Sequence, residues 1–295
     1  MSVPSKPSER PWVVIQRNPR SGSGKARGEL LNLARQLKVR GLHVRMFANR
    51  PRLDEVVRNA AKPPVAIVAA GGDGTVGDVA GRHLDLPIAI LPLGTENLLA
   101  KYLKVRRDGT ALANMIADGK KLRLDTAMLN EHRFQIVAGF GIDGAVTHRM
   151  DEVRTGTISH LSYIQPIVRT FRKYKYVPIR VYLDDNPEPL IGHQVMIVNL
   201  PAYALGMPFA AQAKGNDGLL DVRVFEKGST FQMLKYCYKV ARRKHEQMPD
   251  VHCATAKSVR VEADEPVFAQ VDGDPAGMTP ATIQIQPATI DFIVP

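Results

Sequence analysis

The chain has 295 residues, 44% of them hydrophobic and 23% charged, enough for sizeable cores and more natural for two domains than for one. No run of about 18 apolar residues is present that would span a bilayer, and Cys237 and Cys253 stand far apart without a Cys-x-x-Cys, which excludes a disulfide framework and a zinc site and fits a reducing cytoplasm. The net charge of +11 is uneven: residues 1–127 carry 22 Lys and Arg against 11 Asp and Glu, and residues 128–295 carry 18 against 18. The first part therefore seeks an anion, whether a nucleotide, an anionic membrane or a nucleic acid.

Residues 1–10 are polar and rich in Pro and Ser, which reads as a flexible tail and not as a signal peptide. From Trp12 onward strand-like and helix-like pieces alternate. Strands are predicted at Trp12–Gln16, Leu42–Phe47, Val65–Ala70 and Pro87–Leu91, with helices near Gly28–Lys38, Leu53–Ala61 and Val76–Leu84. Buried β-branched runs separated by amphipathic helices indicate βαβ units on a parallel sheet. Ligands of such sheets sit beyond the carboxyl ends of the strands, so three glycine-containing loops matter: Asn18 to Lys25, Gly71 to Thr75, and Pro92 to Asn97. Gly22-Ser23-Gly24-Lys25 is not a Walker A loop, because Pro19 stands where a Gly is needed and Ala26 where a Ser or Thr is needed. Gly71-Gly72-Asp73-Gly74 is likewise not the GxGxxG of dinucleotide-binding folds.

Past about residue 120 the pattern changes to short alternating strands: Phe134–Ala138, Ile179–Leu183, Gln194–Leu200, Leu220–Phe225, Ser258–Glu262, Val267–Val271 and Thr282–Ile285. The expected organisation is an α/β nucleotide domain over 1–127 and a β-rich domain over 128–295, whose last strand, 289–295, returns to the first domain. Two basic amphipathic helices interrupt the second part. One carries Leu161, Ile164, Ile167, Val168 and Phe171, and the other Phe231, Leu234 and Tyr238 beside Lys235, Lys239, Arg242, Arg243 and Lys244. Packing of these apolar faces on the sheet is the favoured reading, and an anionic membrane surface the alternative. Scattered histidines, among them His43, His148 and His252, show no ligand spacing.

Five ordered blocks, NPRSGSG at 18–24, GGDGT at 71–75, PLGTEN at 92–97, NDGLLDV at 216–222 and VDGD at 271–274, resemble the diacylglycerol kinase catalytic-domain family, which includes bacterial lipid kinases and sphingosine and ceramide kinases and is distantly similar to NAD kinases. The resemblance runs from about Trp12 to the C-terminus. It implies a three-layer α/β nucleotide domain with a parallel sheet, a C-terminal β-sandwich-like domain and an active site in the cleft between them. It further implies ATP phosphates held by Asn18, Pro19, Arg20, Ser21 and Gly22 and by Gly71, Gly72, Asp73, Gly74, Thr75, Val76 and Gly77, with Thr95 adding a hydroxyl and Asn49 a polar contact. Gly77 stands where the family commonly has Asn.

Phosphoryl transfer to a lipid hydroxyl needs in-line positioning, a metal to offset charge and a carboxylate for the proton. By the resemblance Asp73 positions Mg-ATP and Asp274, where bacterial members have Glu, is the base, with Asp272 its rival and a plain polar turn between strands the alternative for both. The segment Lys214 to Leu219 resembles a structural Mg2+ loop, with Asp217 and the carbonyls of Lys214 and Leu219 as ligands. The implied protein is an ATP-dependent lipid kinase for diacylglycerol or a related lipid, acting in the cytoplasm at the inner membrane face on anionic phospholipid, with a lipid pocket lined by Phe140, Tyr163, Ile167, Tyr203, Met207 and Phe209. The other readings are a sphingosine- or ceramide-type kinase, and a nucleotide- or lipid-binding regulator with weak or no turnover, for which Gly77, Asn216 and the short Asp274 argue. Nucleic acid is disfavoured, since the basic residues are not interleaved with aromatics in a known module. Oligomeric state, a homodimer included, is not encoded in any feature of the sequence.

Overall fold

The computed structural model describes residues 10–19, 21, 24–152, 170–203 and 206–295. The chain divides into two compact units, one of residues 1–124 with 289–295 and one of residues 125–288. In the first unit the strands β1 (Trp12–Arg17), β2 (His43–Phe47), β3 (Ala66–Gly71) and β4 (Ile88–Pro92) pair in parallel in the order β2-β1-β3-β4. β3 and β4 are buried throughout, as their uninterrupted apolar sequences require of strands covered on both faces. β2, with His43, Arg45 and Met46 exposed, is the polar edge that discourages further strand pairing.

One face of this sheet packs Val13, Ile15, Val68, Ala89 and Leu91 against Leu30, Leu33 and Leu37 of α1 (Gly24–Val39) and Leu112 and Ile116 of α5 (Gly109–Asp118). Alternation along β1 sends Gln16 to the opposite face, where its amide donates to Asp78 Oδ2 (2.6 Å) of α3 (Asp73–Arg82). Helix α2 (Arg50–Arg58) follows β2, and the short α4 (Leu98–Tyr102) follows the loop after β4.

The second unit is a β-sandwich. One sheet runs β14 (Val251–Ala256), β13 (Leu220–Phe225), β10 (Gln194–Val198), β7 (Val137–Phe140), β16 (Phe268–Val271), β17 (Asp274–Met278), antiparallel throughout. The facing strands include β8 (Ile179–Leu183), β15 (Ser258–Ala263), the first part of β18 (Ala281–Ile293) and the second half of β5 (Lys121–Leu129). Phe140, Val195, Ile197, Val222, Val224, Ala269 and Val271 meet Ile179, Val181, Val259, Val261 and Ile283 between the sheets. Residues one position out of phase turn the other way, toward α6 (Ile142–Glu152) and α7 (Thr230–Ala241): Gly139, Met196 and Gln270 occupy adjacent rows of the sheet's outer face.

Three sequence expectations are corrected here. The broad turn expected between Val271 and Thr282 is a two-residue turn, Asp272-Gly273, both with positive φ (49° and 88°), so Asp274 opens a further strand. Asp-Gly suits such a turn because both positions need the left-handed region. The last strand is 13 residues long, reaching from β15 in the second unit to β4 in the first. On α7 the buried residues are Met233, Tyr236 and Val240, whereas Phe231 (78%), Leu234 (56%) and Tyr238 (59%) are exposed, the reverse of the expected packing. Of the other basic helix, residues 161–169 lie outside the described residues, whereas Phe171 is helical, half-buried and borders the apolar cavity of this unit.

Two glycines differ in what a methyl group would meet. Around Gly28 on α1 there is open space, but a Cβ on Gly109 would strike the backbone of Glu29 and Leu33 where α1 and α5 touch. Gly28→Ala is expected to raise the urea unfolding stability by about 0.5–1 kcal/mol, and Gly109→Ala to lower it by about 1–3 kcal/mol.

Candidate functional site

Three strand-end loops of the first unit are locked together. The Asn18 amide N–H donates to Ala70 O (3.1 Å), and its side chain donates to Thr75 Oγ1 (3.2 Å), joining the loop after β1 to the turn after β3. Gly71 leaves room for the Thr75 side chain, which a Cβ there would strike. A Cβ on Gly94 would lie 2.5 Å from Gly72 Cα, so the loops after β3 and β4 meet backbone against backbone. Asn97, itself at φ 51°, closes the third loop by accepting from Gly94 N–H (2.9 Å) and donating to Gly94 O (2.7 Å).

The N terminus of α3 follows at once. Thr75 and Val76 N–H donate to Gly72 O (2.9 and 3.1 Å), and Gly72 supplies no side-chain cap. The Asp73 and Gly74 amides thus stand at the positive end of the helix dipole, a setting suited to phosphate oxygens. Asp73 Oδ1 accepts the Leu99 N–H at the start of α4 (3.1 Å), so this carboxylate also orients the loop after β4.

The remaining expected nucleotide residues sit as follows. Thr75 and Val76 are buried, Pro19, Gly74 and Thr95 are exposed, Gly77 is half-buried, and Ser21 N–H turns back to Asn18 O (3.2 Å). Arg20 and Gly22 lie outside the described residues. Asn49, at the end of β2, caps α2 by accepting from Arg52 N–H (2.9 Å). Behind α3 the Arg82 guanidinium joins Gln16, Asp78 and Asp54, with His83 Nε2 2.8 Å from Asp54 Oδ1 and Arg50 3.2 Å from Asp78 Oδ1. No local sequence pattern marks this network, whose members span positions 16 to 83. A groove of about 640 Å3 lined by Arg10, Trp12, His43 and Arg45 involves the opposite, amino-terminal ends of β1 and β2 and none of the loops above.

In the second unit the two candidate acids differ sharply. The Asp272 carboxylate accepts the backbone N–H groups of Gln135 (2.8 Å), Ile136 (2.9 Å) and Val137 (2.9 Å), which anchors the start of β7. Asp274, two residues on, is exposed. Asp272 is therefore occupied by backbone, whereas the Asp274 side chain stands at the surface.

The loop 214–219 is organised by a residue the sequence reading overlooked, buried Asp125. Its N–H donates to Gly215 O (2.7 Å), its Oδ2 accepts from Gly218 N–H (2.8 Å) and its Oδ1 from Ala288 N–H (2.7 Å). Gly218 takes φ 73°, and Asp217 Oδ1 accepts the Leu219 N–H (3.1 Å). Asp217 and Lys214 are exposed, and a carboxylate with backbone carbonyls is a donor set of hard oxygens that suits Mg2+.

Between the outer face of the six-stranded sheet and α6 and α7 lies an apolar cavity of about 140 Å3, lined by Ile142, Met196, Phe209, Phe225, Met233 and Val240 among others. Of the residues expected to line a lipid pocket, Met207 and Phe209 border this cavity. Phe140 instead faces the sandwich core, because β7 alternates and its neighbour Gly139 takes the outward position. Tyr163, Ile167 and the Tyr203 side chain lie outside the described set. Among the described residues one acid borders this apolar space, Asp143, and loss of water around its carboxyl raises its pKa to about 6 against an opposing hydrogen bond from Gln270.

A parallel α/β unit with interlocked glycine loops followed by a β-sandwich defines the class, an NAD kinase-like two-domain kinase fold. The structure of yeast NADH kinase complexed with NADH shares it at TM-score 0.56 and 12% identity, over 97% of this chain and 83% of that one. A diacylglycerol kinase structure from Bacillus anthracis shares it at TM-score 0.69 and 19% identity, over 98% of both chains. Residues 11–129 match the family model for the diacylglycerol kinase catalytic domain, and residues 136–294 match that for the YegS C-terminal NAD kinase beta sandwich-like domain. The chain belongs to the diacylglycerol kinase catalytic-domain family and is, at the level of that family, a kinase. Curated relatives include the diacylglycerol kinase of Mycobacterium tuberculosis, 26% identical over 96% of this chain and 95% of its own, and that of Staphylococcus saprophyticus, 25% identical over 89% and 88%.

The two acids are separable by stability. Asp272→Ala strands three buried amides and is expected to lower the unfolding free energy by about 3 kcal/mol, whereas Asp274→Ala leaves the urea midpoint within about 0.5 kcal/mol of the parent.

Proposed function

We propose that this protein is an ATP-dependent lipid kinase that transfers the γ-phosphoryl group to a hydroxyl of diacylglycerol or a related lipid. The observation that carries the nucleotide half is the Gly72–Gly94 approach, which lines a strand-end cradle with backbone amides and no side chains. The amides of Asp73 and Gly74, with the loop around Asn18 and Ser21 and the Thr95 hydroxyl, hold the phosphates. The apolar cavity supports the lipid half. At about 140 Å3 it is comparable to a void that admits a benzene-sized group, so it takes the end of a chain and not a whole lipid.

Asp274 accepts the proton of the lipid hydroxyl as that oxygen bonds to the γ-phosphorus and the bond from phosphorus to the β,γ-bridging oxygen breaks, releasing ADP. Mg2+, when bound, offsets the phosphate charge; Asp73 orients the donor, and Asp217 with the Lys214 and Leu219 carbonyls would hold a structural ion. In mixed micelles with labelled ATP, Mg2+ and a lipid panel, the protein is expected to label a lipid. Asp274→Ala should lose at least a hundredfold in kcat with ATP affinity changed less than twofold. Normal nucleotide binding with no lipid labelled would instead establish the regulator reading.

Among the described residues no helix is long and apolar enough to cross a membrane, and α7 offers a different mode of contact. Phe231, Leu234 and Tyr238 form an exposed stripe, Lys235, Lys239, Arg242, Arg243 and Lys244 flank it, and the helix contains no acid. Apolar insertion combined with positive charge fits an anionic bilayer surface. The other side of the helix closes the apolar cavity through Met233 and Val240, which would place a membrane lipid one helix thickness from it. Flotation with phosphatidylglycerol vesicles is expected to carry the protein, and Phe231→Ser with Leu234→Ser to reduce the bound fraction at least fivefold. Equal flotation of the double variant would reject α7 as the contact.

A further inference from the structure

The Asp143 carboxyl borders the apolar cavity, yet its hydrogen bond leads toward the hairpin of the candidate base. Gln270 Nε2 donates to Asp143 Oδ2 (2.8 Å), and Gln270 Oε1 accepts the N–H of Gly273 (2.8 Å), the residue before Asp274. A carboxylate only accepts and an amide N–H only donates, so this orientation of Gln270 makes both bonds and the flipped orientation makes neither. Gln270 is fully buried, and a Cβ at its cross-strand neighbour Gly139 would strike both Asp143 Oδ2 and Gln270 Nε2. The glycine thus clears the space in which the pair forms. On the far side a Cβ at Gly144 would strike the Phe268 carbonyl, so α6 lies tight against β16 and holds Asp143 over the sheet.

We propose that Asp143 is a positioning residue for Asp274: acting through Gln270 and the Gly273 amide, it fixes the Asp272-Gly273 turn and so the reach of the carboxylate that takes the substrate proton. The proposal rests on the lipid kinase reading for its consequence in catalysis, but the chain of bonds itself does not. Ionised Asp143 holds the Gln270 amide by a charge-assisted bond, and protonation weakens that hold. With the carboxyl titrating at about 6, turnover should fall as pH drops through that value. Stability has the opposite sign. A carboxyl whose pKa is raised from 3.8 on folding costs the fold more as pH rises from about 4 to 6, so a loss of turnover below pH 6 is not an unfolding effect. Among the described residues the other titratable groups around Asp143 are Tyr236 and Cys237 of α7, which line the same cavity, and His148 of α6, stacked on Phe268 at 4.4 Å; β10 and β16 present the uncharged Gln194 and Gln270. The Asp143→Asn comparison separates the effect of this carboxyl from that of its neighbours.

The first measurement is independent of activity: the Gly273 amide resonance of 15N-glycine-labelled protein, followed from pH 4.5 to 8. It is expected to titrate with a midpoint near 6 in the parent and to stop doing so in Asp143→Asn, which keeps an acceptor oxygen but not the charge. In turnover, Asp143→Leu and Gln270→Leu are each expected to lower kcat about tenfold at pH 8 with KM for ATP within twofold. The double variant should be no slower than either single variant, and Asp143→Asn should keep more of kcat than Asp143→Leu while losing the inflection near pH 6. A misplacement on the order of 1 Å at the base is sufficient for losses of this size or larger. A Gly273 amide that does not titrate near 6, titration unchanged in Asp143→Asn, or additive losses in the double variant would overturn the proposal. Titration as expected in a protein that phosphorylates no lipid would leave the positioning intact and overturn the kinase reading alone.

Discussion

The approach of Gly72 to Gly94 sets the architecture of the first unit's site. Two strand-end loops meet there with no side chain between them, and each neighbouring feature follows from that closeness. Leu93 N–H reaches Gly71 O at 2.8 Å, Asp73 reaches the start of α4, and Asn97 must take a left-handed conformation to fold its amide back onto Gly94. A methyl group at either glycine would separate the loops and with them the amides at the start of α3. Glycine is used here for its lack of volume, since neither position has a positive φ.

The second unit uses carboxylates as backbone anchors in the same economical way. Asp272 gathers three successive amides, Asp125 one amide from the loop at Gly218 and one from β18, and Asp184 the amides of Lys257 and Ser258. Charge-assisted bonds of this kind are stronger than neutral ones, and each ties a turn to a strand far away in sequence. An acid in a turn is thus ambiguous until its partners are known. Of Asp272 and Asp274, the one committed to backbone leaves the other available for chemistry.

Local pattern carried much of this fold. The parallel strands of the first unit were legible because β3 and β4 are uninterrupted apolar runs and β1 opens with one, and the strand-end loops because glycine, Asn and Thr cluster near where those runs stop. What the sequence could not convey was pairing across distance. Asp143 and Gln270 are 127 positions apart, Asp272 lies 135 to 137 positions from its amides, and neither separation leaves a local trace. Phe140 went to the wrong side because strand phase depends on which face is covered. For α7 periodicity found one apolar stripe correctly, but Met233, Tyr236 and Val240 form a second, and only packing decides which is buried. Asn49 read as a ligand group because its role as a helix cap uses the same hydrogen-bonding chemistry.

The bond from Ala288 N–H to Asp125 Oδ1 joins the last residue of the second unit to its first. A segment of more than one hundred and sixty residues leaves and re-enters its host through a gate one hydrogen bond wide, 2.7 Å, held by the same carboxylate that shapes the loop at Gly218. Such a segment is topologically an insert: its ends are already together when it is folded, so its closure asks nothing of the chain on either side. One side chain, that of Asp125, therefore sits at both crossings of the chain.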